Sequence, residues 1–85
     1  MKLEEIAKRI YAKLQKFEAD KKINKSKFGA MYFNVNAFRV GRYVGIKYCS
    51  YQGTTLLTKA EAEQYLAWLD AGNVGKHFEQ KQQKV

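Results

Sequence analysis

The stretch Tyr43-Val44-Gly45-Ile46-Lys47-Tyr48-Cys49 decides the fold. Val44, Ile46 and Tyr48 alternate with Tyr43, Gly45, Lys47 and Cys49, and a period of two sends alternate side chains to opposite faces of a strand. The run extends to Tyr51. Upstream, Met31, Phe33 and Val35 alternate with Tyr32, Asn34 and Asn36, the mark of a second half-buried strand. Val40-Gly41 lies between the two runs and is the expected hairpin turn. Downstream, Gln52-Gly53 reads as a tight turn and Thr54 to Leu57 as a short third strand. Consecutive strands joined by short loops usually pair, so the three form an antiparallel meander.

Helical periodicity flanks this sheet on both sides. Leu3, Ile6, Ala7, Ile10, Tyr11, Leu14 and Phe17 recur at steps of three and four, which predicts an amphipathic helix from about Lys2 to about Lys22. Glu4 and Glu5 fall in its first turn, where the helix dipole favours negative charge. After the sheet, Thr58-Lys59-Ala60-Glu61 fits a capping box. The helix it starts runs to about Ala71, with Ala62, Tyr65, Leu66 and Leu69 on one face and Trp68 flanking it. Gly72 stands where a left-handed C-terminal cap belongs. Val74 and Phe78 add a small apolar patch. The fold class is therefore α+β, in the order α-β-β-β-α, a three-stranded antiparallel meander packed with two helices. Residues 1–78 form one basic domain, and 79–85, almost all polar or charged, read as a disordered tail.

The composition narrows the function. The chain has 85 residues, of which 46% are hydrophobic and 14% aromatic, too apolar for a disordered chain. Sixteen Lys and Arg against eight Asp and Glu give a net charge of +8. Such a surplus attracts nucleic acid, acidic membrane or an acidic protein surface. Solubility alone accounts for net charges of roughly 2–8, so the distribution matters more than the total. No acidic residue lies between Asp20 and Glu61. Lys21, Lys22, Lys25, Lys27, Arg39, Arg42, Lys47 and Lys59 carry eight positive charges in that stretch, and the rest of the chain sums to zero. The whole surplus maps onto a basic connector and the sheet.

The same alternation gives the sheet a second face. With Met31, Phe33, Val35, Val44, Ile46 and Tyr48 in the core, Tyr32, Asn34, Asn36, Tyr43, Lys47 and Tyr51 point the other way, and Arg39 and Arg42 flank the hairpin. Arg and Lys meet phosphates, Asn can read adenine, and Tyr can stack on bases. A two-stranded ribbon also fits the major groove. The competing reading is that the first helix buries Tyr32 and Tyr43, leaving Asn34 and Asn36 as ordinary strand residues.

Catalysis and metal binding find no support in the sequence. His77 is the single histidine and Cys49 the single cysteine, too few for a four-ligand zinc site. No nucleophile has an activating partner in view. Glu61 and Glu63 are two apart on a helix and do not face each other. One cysteine allows no intrachain disulfide, the start is charged and unlike a signal peptide, and no run of about 18 apolar residues exists to span a membrane. The expectation is a cytoplasmic, non-catalytic protein without a cofactor that binds nucleic acid, DNA ahead of RNA. Its site is Lys21, Lys22, Lys25, Lys27, Tyr32, Asn34, Asn36, Arg39, Arg42, Tyr43, Lys47 and Tyr51. The alternative is an inhibitor or adaptor of the kind small mobile-element genomes encode, set against an acidic or nucleic-acid-binding protein surface. Membrane-surface binding by the first helix ranks last, because its apolar stripe is needed for the core.

Overall fold

The computed structural model places α1 at Leu3–Asp20, β1 at Asn36–Val40, β2 at Tyr43–Lys47, β3 at Thr55–Leu57 and α2 at Lys59–Asp70. It describes residues 1–20, 35–48, 53–73 and 75, and for 17–20 the backbone alone. The three strands form one antiparallel sheet in the order β1-β2-β3. This is the expected α+β meander with two helices.

The apolar stripe of α1 explains its place. Ile6, Ala7, Ile10 and Leu14 are buried, and Leu3 packs against them. Burying a side chain such as Ile or Leu stabilises by about 1.5–3 kcal/mol, more than any polar contact on this helix. Tyr11, expected on the stripe, is exposed: it lies one residue beyond Ile10 and rotates past the edge of the contact. Phe17 falls outside the described side chains.

The start of α2 follows from local chemistry. The Thr58 hydroxyl accepts from the Glu61 backbone N–H at 3.2 Å, and the Glu61 carboxylate accepts from the Thr58 N–H at 3.0 Å. Both halves of the capping box are therefore present. At the other end the Gly72 N–H donates to Leu69 O with the glycine at φ 97°, the left-handed cap expected there. Ala62, Tyr65, Leu66 and Leu69 are buried, as the periodicity requires. Trp68 stacks on Tyr65 with ring centroids 6.0 Å apart. The Tyr65 hydroxyl donates to the buried Gly75 carbonyl at 2.6 Å.

Both helices lie on one face of the sheet. Val35, Val44, Ile46, Tyr48 and Leu57 join the buried residues of α1 and α2 in a single cluster. The two helices are tied to each other by Lys13 and Asp70, 3.2 Å apart. The expected core positions Met31 and Phe33 lie outside the described residues.

The hairpin departs from expectation. Val40 pairs with Tyr43, so the turn is Gly41-Arg42, one residue later than Val40-Gly41, and Ala37 to Val40 belong to a strand. A two-residue loop opened by a glycine at φ 60° is the pattern of a primed hairpin turn, whose twist matches that of the flanking strands. The cause of the misplacement is an inverted pattern along β1. Its large apolar side chains, Phe38 and Val40, point away from the helices, while Ala37 and Arg39 stand on the helix side opposite Ile46 and Val44.

Candidate nucleic-acid interface

Strand register builds the uncovered face row by row. Val44 and Ile46 are fully buried beneath the helices, so Tyr43, Gly45 and Lys47 point outward. Residues paired across strands share a face. One row is therefore Asn36 beside Lys47, the next Phe38, Gly45 and Leu56, and the last Val40 beside Tyr43. Phe38, Val40, Tyr43 and Leu56 are 36–50% exposed. They are four of the six large apolar side chains exposed among the described residues, and the other two, Met1 and Tyr11, lie elsewhere.

Gly45 sits at the centre of this face for a steric reason. A Cβ there would lie 2.9 Å from Thr54 Cγ2, 3.0 Å from Val40 Cγ2 and 3.3 Å from Phe38 Cε2. The neighbouring side chains close over the backbone and leave a low apolar floor. The strand glycine thus marks a close approach, and the β1–β2 register runs past it without a bulge.

The charges divide between the two sides of the sheet. Arg39 points to the helix side, where its guanidinium meets Glu4 of α1 at 3.3 Å and its Nε donates to Gly41 O at 2.9 Å. Glu5 is held by Arg9 at 3.2 Å. Arg42 at the turn is exposed and Lys47 on the outer face is half-buried. Among the described residues neither has an ion-pair or hydrogen-bond partner. Asn36 accepts the Ala37 N–H on Oδ1 at 2.9 Å, and its amide donors have no partner among the described residues. No described acidic residue lies on this face.

Of the residues singled out in the sequence, the structure therefore brings Asn36, Tyr43 and Lys47 together on the outer face, with Arg42 beside them. It sets Arg39 apart, on the other side of the sheet. Lys21, Lys22, Lys25, Lys27, Tyr32, Asn34 and Tyr51 lie outside the described residues, as do Cys49 and His77. Tyr43 is 44% exposed, so α1 does not bury it. Phe38, Val40 and Leu56 went unnoticed in the sequence. The signal for two of them was the two-residue turn, which places Val40 opposite Tyr43 and, two residues back, Phe38 on the same face.

Among the described residues no cluster of His, Cys, Asp and Glu could hold a metal ion. No described helix is long and apolar enough to cross a membrane. No protein-family model matches the chain, and no match to it was found among curated proteins or solved structures.

Proposed function

We propose that this is a non-catalytic nucleic-acid-binding protein of the cytoplasm, DNA ahead of RNA, and that the outer face of the sheet is its contact surface. One observation carries the reading: an exposed face with aromatic side chains, two cations at or beside it that have no partner among the described residues, and no described acid. The charge distribution supports it, since the whole surplus of the +8 chain falls between Lys21 and Lys59. Arg42 and Lys47 supply phosphate contacts and the rings supply contacts to bases. Lys21, Lys22, Lys25 and Lys27 add attraction at long range.

The test is fluorescence anisotropy with labelled duplex DNA, single-stranded DNA and RNA at several salt concentrations. Binding to nucleic acid releases counterions, so affinity falls linearly with salt on a double-logarithmic plot. Absence of binding to all three probes at low salt refutes the reading. A second reading, an inhibitor or adaptor docked on an acidic protein surface, is favoured by the aliphatic pair Val40 and Leu56, which hydrophobic contacts use as readily as bases do.

A further inference from the structure

We infer that the outer sheet face takes single-stranded DNA, with unpaired bases stacked on Phe38 and Tyr43; this rests on the nucleic-acid reading above and narrows it. Duplex DNA presents phosphates and groove edges, and its bases are already stacked on one another. A site for duplex therefore wants cations and hydrogen-bonding side chains across its middle. Here the middle is Phe38, Gly45 and Leu56, an apolar row whose central residue has no side chain. The polar groups stand at the ends of the face, Lys47 and Asn36 at one and Arg42 at the turn. Such a floor matches the faces of bases, with the backbone running past cations at the edge.

Phe38 and Tyr43 are diagonal neighbours across the β1–β2 pair, about 7–8 Å apart at their Cα atoms, so each ring can hold its own base. Charge disfavours a second copy of the chain as the occupant, because it would bring another +8 against this face. The sugar is chosen on the same ground. Between bases stacked on the floor and phosphates at the edge, the sugars border Val40 and Leu56 on the outer strands, where a 2′-hydroxyl loses water and meets only aliphatic side chains, so DNA is preferred over RNA.

The experiment uses the full chain and three labelled probes of one sequence: a DNA strand, the same strand as RNA, and the DNA duplex. A length of about 20 nucleotides covers the ~4–16 nucleotide sites of small single-strand-binding folds. The expected order is DNA strand, then RNA strand, then duplex. Phe38→Ala and Tyr43→Ala each weaken the DNA strand by about fivefold to a hundredfold, the range found when a stacking ring is removed, and leave duplex binding unchanged. Tyr43→Phe keeps the ring and retains affinity. Both positions lie outside the core, and thermal unfolding of each variant checks that it folds.

Duplex bound as tightly as the DNA strand, or indifference to both ring deletions, overturns the stacking inference and leaves the basic nucleic-acid reading standing. RNA bound more tightly than DNA overturns the choice of sugar. Labelled poly-glutamate bound as tightly as the DNA strand assigns the face to acidic protein surfaces. If no probe binds, this inference and the reading beneath it fall together.

Discussion

Two glycines of the β1–β2 hairpin are required for different reasons, and substitution separates them. Gly41 has open space where a Cβ would go, so its constraint is the positive φ alone. Gly41→Ala is expected to cost about 1–2 kcal/mol, the penalty of a left-handed backbone for an L side chain. Gly45 has the opposite problem, crowding from Thr54, Val40 and Phe38. Gly45→Val is expected to cost about 1–3 kcal/mol through overpacking, and to push Phe38 from its place over the sheet. Urea denaturation measures both. A Gly45→Val protein as stable as the parent would mean that the side chains above it yield freely. Thr58 gives a third single-residue test: without its hydroxyl the first turn of α2 loses a cap, and Thr58→Ala should lower stability by about 1 kcal/mol in the same assay.

The elements divide into those that hold the molecule together and those that present the surface. Ile10 and Leu14 of α1 are fully buried between the sheet and α2. Leu14→Ala is expected to cost about 2–5 kcal/mol, a large part of the stability of so small a domain. Removing the hydroxyl of Tyr65 leaves the buried Gly75 carbonyl without that donor, and Tyr65→Phe should cost about 1–3 kcal/mol. These helices were legible in the sequence because their signals are local. A capping box, a C-terminal glycine and a stripe at steps of three and four each involve residues that meet within one or two turns. Strand β1 was less legible because its pattern is inverted. Alternation rules assume that the larger apolar residues face the core, and here Phe38 and Val40 face outward while Ala37 and Arg39 face the helices. Arg39 is tolerated there because β1 lies at the edge of the described sheet and the long side chain reaches past the core to Glu4. The candidate site was half legible for the same reason. Tyr43 and Lys47 follow from β2, whereas their apolar neighbours follow only from the register.

At the scale of the whole molecule, the ion pairs decide which charges a partner meets. Arg39 is already paired with Glu4, so Arg39→Ala should leave the salt dependence of nucleic-acid binding nearly unchanged. Arg42→Ala and Lys47→Ala should each reduce the slope on single-stranded DNA by about 0.7, because each removes one phosphate contact and its released counterion. Equal slopes for all three variants would show that the face does not meet phosphates. The Glu4–Arg39 pair itself is half-exposed and contributes about 0.2–1 kcal/mol at most, so its absence should not obscure the comparison. The packing of α1 has a further consequence, for the order of synthesis. Its apolar stripe leaves the ribosome ahead of every surface that covers it, from Val35 to Leu69. At about 5–20 residues per second the stripe waits several seconds for its partners. During that interval Ile6, Ile10 and Leu14 form an adhesive strip on a nascent chain, and the exposed Lys8, Arg9 and Lys16 of the same helix are the charges that oppose its association.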